Sequence, residues 1–599
     1  MKKTISIFTL LAVTAGCGPH SQDSKLDQAW DENSNVTKSG YTGPLNLESL
    51  QGDYTASTER TPWTDTYWPS MNKGLSYRWA RLTANPSSEI GLVDFLDTHL
   101  AEAGKEKPSV FLSPAEKYDL IYRWRYGKSL TPETLASLRT NLVAKETEIA
   151  GTQDLAQKRK AVGQMNSELR NSSSVLQSVL PLSRDGWTTW TNRTASSSFQ
   201  YLNQEGTGDN WGWEGLCHGW APAALFAETP QHAVKIKMDE KEVLLTEGDI
   251  RGLLTYSWAN HAAANDEYFV GRRCNLDVGN EDSRGPLDAE GRNIYGSLQM
   301  ASGDVRLNFS LIEEKSESWL ANSWIYGVFN GAANFRLYHI RLEDGRNKNS
   351  YLLELNYFDQ QSGRWGQMNF HSDNLAPLRN YVAQQSAPQP KVLASVEING
   401  CGDVNPAALH TTILQTLKKD RIGFVMDRTQ SGQVWNQPVY AAQVIVKPAT
   451  LLADEIKTYP GLIKRVAPGT VKVAQVQVRL KWSSEPSAPV MDYTPQYDLD
   501  YANGPSNLEY ILEFNDKDQL IGGEWGNFKE TQPSSQVPDF IYGYKKGSKP
   551  RDSIQSGFDY SGIIGQIHAC SLKATADGTE VVRGMSMTYV NCEISKLAL

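Results

Sequence analysis

The stretch Trp211-Gly-Trp213-Glu-Gly-Leu-Cys217-His218-Gly-Trp220-Ala-Pro-Ala-Ala-Leu-Phe sets a cysteine where a Gly- and Trp-rich turn gives way to an apolar run that reads as a helix start. First-turn amides of a helix lack intrahelical acceptors and carry partial positive charge. They suit a sulfur nucleophile and can hold an oxyanion forming on an attacked carbonyl. For a lone Cys a buried structural role is the plainer account, so the rest of the chain has to decide. A thiol nucleophile needs a base within hydrogen-bond reach and a third group to hold that base. Among nine histidines, His410 lies on a helix opened by Asn405 and Pro406, which runs through a short turn into a strand ending at Asp427. Helix and strand packed in sequence can set Asp427 beside His410. Asn436, in Val434-Trp435-Asn436-Gln437-Pro438-Val439, is the rival for the orienting role. His218 adjoins the thiol but diverges from it by about 100° on a helix. Trp63, Trp213, Trp220, Trp435 and Asn436 are the candidate substrate contacts, and the density of Trp63, Trp68, Trp211, Trp213 and Trp220 could wall off water.

The elements that must position these groups fall into five regions. Residues 1–17 are a signal segment, and 18–60, rich in Ser, Asn, Asp, Gly and Thr, read as a flexible tether. Residues 61–185 are helical after an aromatic and proline cluster, Trp63 to Pro69, that docks on another surface. Ser113-Pro114-Ala-Glu116 is a capping box with Pro at the first helical position, and Thr131-Pro132-Glu133 opens another helix. Leu135 to Leu180 read as one long helical hairpin broken near Gly151. Residues 186–449 hold the thiol helix, a strand from His232, a helix start near Asp249, two or three alternating strands within 330–372, and the His410 helix. Residues 450–599 are strand-rich, with Val471 to Trp482 and Leu508 to Phe514 the clearest runs and turn signals at Asn503-Gly504 and Gly522-Gly523.

A chain of 599 residues exceeds one core and calls for two to four domains. With 40% hydrophobic and 21% charged residues and a net charge of −9, it is an ordinary soluble composition with no nucleic-acid signature. Lys2 and Lys3, the apolar run Ile5 to Val13 and then Thr14-Ala15-Gly16-Cys17 form a bacterial export signal. Its end resembles a lipobox, in which Cys17 would be acylated, although Thr14 stands where that motif usually has Leu or Val. Lipid alone would then attach the chain to the cell envelope, since no later stretch reaches the ~18 apolar residues of a spanning helix. Export changes how the six cysteines are read. With Cys17 lipidated and Cys217 the nucleophile, Cys274, Cys401, Cys570 and Cys592 remain, and four can pair in three ways. Cys570 and Cys592 look like a hairpin staple, which would leave Cys274 and Cys401 to clip distant parts of the central region together.

Val434-Trp435-Asn436-Gln437-Pro438-Val439 resembles the core of the elicitor peptide in the secreted transglutaminases of plant-pathogenic oomycetes, which have relatives in marine bacteria. Trp213-Glu-Gly-Leu-Cys217-His218-Gly-Trp220-Ala-Pro-Ala is similar to the active-site segment of that family, and Thr61 to Pro69, Ser113 to Asp119 and Asn405 to His410 are familiar from it. The resemblance covers roughly residues 60 to 445, with weaker echoes at Gly522 to Trp525 and Pro538 to Phe540. It implies a papain-like cysteine-enzyme core, which with the helical N-terminal and β-rich C-terminal readings makes an α+β fold. It also implies a protein-glutamine γ-glutamyltransferase. Cys217 would form a thioester with a glutamine side chain, and a lysine amine would resolve it into an isopeptide bond. Gln- and Lys-bearing proteins would be the substrates. His410 would shuttle protons in both halves. Calcium is the one cofactor the resemblance raises, yet the chain has no EF-hand loop. Asp498-Leu-Asp500 and Asn515-Asp-Lys-Asp518 are oxygen-rich clusters that read as turns, and no metal ligand set stands out. A thiol protease or deamidase, and a non-catalytic surface-binding lipoprotein, are the competing readings.

Overall fold

The helix that carries Cys217 lies on one face of an antiparallel sheet that contains the Asp427 strand. The computed structural model describes residues 36–79, 112–128, 173–195, 214–271 and 404–597, short interior stretches apart, with isolated helical positions between 131 and 167 and the backbone of six strands between 305 and 398. The signal segment, the start of the tether and most of the 135–180 helical reading lie outside the described residues.

Nine strands form the main sheet: β1 (Tyr54–Ser57), β2 (Glu267–Gly271), β3 (Phe424–Asp427), β4 (Asn436–Val446), β5 (Thr450–Leu451), β6 (Lys472–Ser483), β7 (Ala502–Phe514), β8 (Leu520–Trp525) and β9 (Phe540–Tyr544). Their order is β8-β7-β6-β4-β3-β9-β2, with β1 alongside β4 and β5 alongside β6. Strands from either side of residue 450 therefore share one sheet. Two smaller sheets accompany it among the described residues. One has four strands, in which Met585–Cys592 runs parallel to Ala233–Met238. The other has six, from Val305–Glu314 to Val396–Ile398.

Period-two alternation divides the main sheet between two cores. Phe424, Met426, Val439, Ala442, Val444, Val476, Tyr510 and Ile541 face one core, whereas Val425, Phe540, Tyr542 and Tyr544 face the other. β4 changes phase along its length. Val439 lies opposite Trp482 but Ala441 lies opposite Lys481, so Tyr440 is an extra residue, a β-bulge.

Five helices matter to the site: α1 (Pro114–Arg125), α2 (Cys217–Phe226), α3 (Glu247–His261), α4 (Pro406–Thr412) and α5 (Gly565–Ser571). The capping signals act as the sequence predicts. Ser113 Oγ accepts from the Glu116 amide while the Glu116 carboxylate accepts from the Ser113 amide, and Asn405 caps α4 with Pro406 at its first position. A second box, Thr246 with Asp249, opens α3. Asp249 also accepts from Trp79 Nε1 at 2.8 Å and pairs with the fully buried Lys117 at 2.5 Å, tying the N-terminal segment and α1 to α3. The aromatic cluster does dock. Trp63, Trp68 and Trp79 are buried against α2 and α3.

Helix α2 is apolar almost all round, as a helix enclosed by the fold must be. Gly219 lets it lie against α3, since a Cβ there would come within 2.2 Å of the Thr255 carbonyl. Gly219→Ala is expected to cost at least about 2 kcal/mol in a denaturant melt, because the obstacle is backbone and cannot rotate away.

Two turn readings differ from the structure. Asn503-Gly504 lies inside β7 and Gly522-Gly523 inside β8. At Gly523 the reason is close approach: a Cβ would meet the Ala407 amide at 2.9 Å where α4 crosses the strand. Asn503 pairs with Trp482 across a register shift in the β6–β7 ladder, where an irregular strand tolerates turn-type residues. Cys570 and Cys592 form a disulfide, which joins α5 to the strand Met585–Cys592 rather than two arms of a hairpin. Cys17, Cys274 and Cys401 lie outside the described residues.

Candidate active site

Cys217 is the first residue of α2, free of any disulfide and 2% exposed. Pro222 determines how that helix end is held. It has no N–H to give the carbonyl four residues back, so the His218 oxygen is released from the helical ladder. Tyr542 of β9 donates its hydroxyl to that oxygen at 2.9 Å, pinning the first turn of α2 to the sheet.

The sulfur then meets the start of β4. Asn436 Nδ2 lies 3.3 Å from Sγ, and the Val434 carbonyl oxygen lies 3.8 Å away. Asn436 pairs directly with Asp427 across the β3–β4 ladder, and Asp427 pairs with Phe540 of β9. Directly paired residues share a face, so Asn436, Asp427 and Phe540 form a row on the side of α2. Asp427 and Asn436 are both buried. Gln437, one position on, turns to the other face, where it accepts from Arg428 Nε. The structure therefore sets Asn436 against Cys217, with Asp427 beside Asn436 on the same face.

It does not bring His410 to them. Helix α4 packs on the opposite face, among Leu409, Ile413 and Leu417 of the second core. His410 Nδ1 is 2.8 Å from the Tyr510 hydroxyl, and the ring meets Tyr54 edge-on. Its Nε2 is buried with no hydrogen-bond partner among the described residues. The helix does run through a turn into β3, as the sequence indicates, but it covers the face that carries Phe424 and Met426. Alternation sends Asp427 to the other side. His232, His261 and His568 are held elsewhere, by Thr588, by stacking on Phe558 and by the Glu228 carbonyl.

Burial, with a smaller contribution from Lys418, pushes the His410 imidazole down to about 4. The folded protein therefore keeps His410 neutral while an unfolded chain protonates near the ordinary value of about 6.5. Its contribution to stability is complete above pH 6.5 and is lost as pH falls toward 4, up to about 3 kcal/mol. Buried Asp65, Asp119 and Glu485, raised to about 6, 7 and 7 by desolvation, act in the opposite sense over the same range. The isolating measurement is the melting difference between wild type and His410→Asn. It should shrink between pH 7 and 4.5, and a constant difference would contradict the neutral buried imidazole.

The tryptophans divide. Trp63 and Trp220 are fully buried, not substrate-facing. Trp63 Nε1 donates to the Ala227 carbonyl, and Trp220 Nε1 to the Trp63 carbonyl. An indole buries that completely only when its N–H finds an acceptor, and both do. Trp435 is half-buried beside the thiol, and Trp213 lies outside the described residues. Two residues that sequence reasoning missed are Tyr542, found through the proline it complements, and Tyr67. The carbonyl of Tyr67 accepts from the Leu216 amide at 2.6 Å, immediately before the thiol helix.

Among the described residues no group of three or more His, Cys, Asp or Glu side chains is placed to hold a metal ion. Asp498 is bound bidentately by Arg251, and Asn515 to Asp518 form the turn between β7 and β8, where Asn515 Oδ1 accepts from the Lys517 and Gln519 amides.

Residues 397–571 match the transglutaminase elicitor family, a span that contains His410, Asp427, Trp435 and Asn436 but not Cys217. No curated protein matches the chain. Among solved structures the chain is similar to the GP42 transglutaminase from Phytophthora sojae, at 15% identity and a TM-score of 0.43, over 91% of this chain and 100% of that one.

Proposed function

We propose, for a chain whose residues 397–571 match the transglutaminase elicitor family, that it transfers glutamine acyl groups to lysine amines through a thioester on Cys217. The single observation that carries the proposal is the 3.3 Å contact between Asn436 Nδ2 and a cysteine sulfur that is free of disulfides and opens a helix. In this reading the sulfur attacks the carboxamide carbon while its proton passes to Asp427. The first-turn amides of α2 receive the developing oxyanion. The C–N bond breaks, and the proton goes to the departing nitrogen, which leaves as ammonia. A lysine amine then attacks the thioester, gives its proton to Asp427 and releases the thiol, which takes the proton back. Asn436 holds the sulfur in place throughout, so the two rival residues of the sequence take separate roles. Asp427 becomes the proton acceptor because His410 belongs to the other face.

We further propose that the chain is exported, with Cys17 acylated. The Cys570–Cys592 bridge supports an oxidising compartment, where such bonds persist.

The test is incorporation of a labelled primary amine into a glutamine-bearing protein, with peptide-bond cleavage and glutamine hydrolysis followed in the same reaction. Isopeptide formation with release of ammonia supports acyl transfer. Cleavage or deamidation without incorporation would instead assign a thiol protease or deamidase, and no chemistry at all would leave a binding protein.

A further inference from the structure

Cys217 is almost fully buried, so a substrate side chain must open a way to it. Two half-buried rings stand on the segments that flank the thiol. Trp435 sits between the two residues that touch the sulfur, Val434 and Asn436. Tyr67 sits on the segment bonded to the residues just before the thiol. Its carbonyl accepts from Leu216, and the Ser70 amide donates to the Glu214 carbonyl at 2.8 Å. The two rings meet edge-to-face, with centroids 5.5 Å apart and planes at 73°. They join the strand side of the thiol to its helix side.

The backbone under both rings is fixed. Gly215 lets the Tyr67 segment press against the approach to α2, since a Cβ there would fall 2.1 Å from the Tyr67 carbonyl oxygen. Trp68 takes a φ of 46°, costly for a bulky residue, and is held there by its Nε1 bond to Asp65 at 2.8 Å and by edge contact with Trp79. Asp65 is held in turn by the Tyr493 hydroxyl at 2.7 Å. On the other side, Val434 and Asn436 are buried and in contact with the sulfur. Movement of either segment would break these contacts.

We infer that Tyr67 and Trp435 are paired aromatic leaves over Cys217, which part by side-chain rotation to admit the carboxamide arm of a glutamine residue and close to exclude water. The inference rests on the acyl-transfer reading for its substrate. Tyr67 is then a positioning residue that acts through access to the thiol. The rings suit a slender arm of two methylenes, whose apolar flanks can lie against aromatic faces, and they resist wider groups.

The test uses the full chain with its disulfide intact and reads alkylation of Cys217 by peptide mapping, with iodoacetamide as the slender probe and N-phenylmaleimide as the wide one. Tyr67→Ala and Trp435→Ala should each speed the wide probe by about five-fold or more, the order expected when one edge-to-face ring pair is lost. Tyr67→Phe, which keeps the ring, should stay within about two-fold of wild type. The double variant should gain little beyond either single one, since both remove the same barrier. Folded Tyr67→Ala and Trp435→Ala proteins that react at the wild-type rate would overturn the inference, as would a Tyr67→Phe variant that opens equally. Should Tyr67→Ala melt early, Tyr67→Leu with Trp435→Ala decides the same question. Alkylation needs no acyl transfer. An open–closed response without amine incorporation sinks only the proposed reaction, and amine incorporation with no response sinks only the leaves.

Discussion

Cys217→Ala is expected to abolish amine incorporation, by at least about 10⁴-fold, as removal of a covalent nucleophile does when the rest of a site remains. The fold should survive. The side chain is small, it forms no disulfide, and its two polar neighbours keep their places on β4 and the segment before it. Alanine leaves a void no larger than a sulfur atom beside an amide and a carbonyl. The measurement is initial-rate incorporation at saturating amine, with a melting curve on the same preparation. Activity within ten-fold of wild type in a folded Cys217→Ala protein would place the chemistry elsewhere in the molecule.

The second large effect is a contrast between two residues that the sequence joins and the sheet separates. Asp427→Asn keeps the shape of a buried side chain on the thiol face and removes its capacity to take a proton. It should lower kcat by about 10²–10⁴, with little change in KM, in the range of a lost general base. His410→Asn should leave kcat per folded molecule within about two-fold, yet cost about 1–3 kcal/mol of stability. That cost follows from burial: the Tyr510 hydroxyl loses a partner 2.8 Å away inside a closed core. Rates normalised to folded protein, read against denaturant melts, separate the two outcomes. An inactive but stable His410→Asn protein, with a fully active Asp427→Asn protein, would reverse the assignment.

How much of this was legible in the sequence depends on the range over which the cause acts. Ser113 with Glu116 and Asn405 with Pro406 are local instructions, satisfied within three residues, and the helices begin where they say. The junction before Cys217 is of the same kind. Alternation gave β6, and much of β7, for the same reason. The His410 misplacement is different in nature. Continuity from helix to strand was legible, but the side of the sheet on which the helix lands is set by the apolar stripe Leu409, Ile413 and Leu417 meeting Phe424 and Met426. Reading Phe424-Val425-Met426-Asp427 two at a time would have put Asp427 on the far side. Trp63 and Trp220 misled through a one-way rule. Aromatic density marks a surface and a core equally, and only the distant carbonyls of Ala227 and Trp63 that receive their N–H groups tell which. Gly523 looked like a turn because its true cause, the crossing of α4, lies more than a hundred residues away.

The leftover residue at Tyr440 makes strand β4 a two-part message. Before it, even-numbered positions such as Asn436 look toward the thiol; after it, even-numbered positions such as Ala442 and Val444 look toward the opposite core. Removing one residue from this short interval would force a choice, turning either Asn436 or the valine-bearing half around. Side chains along the strand can be exchanged one by one, but its length cannot drift by one without sacrificing either the chemistry or the fold.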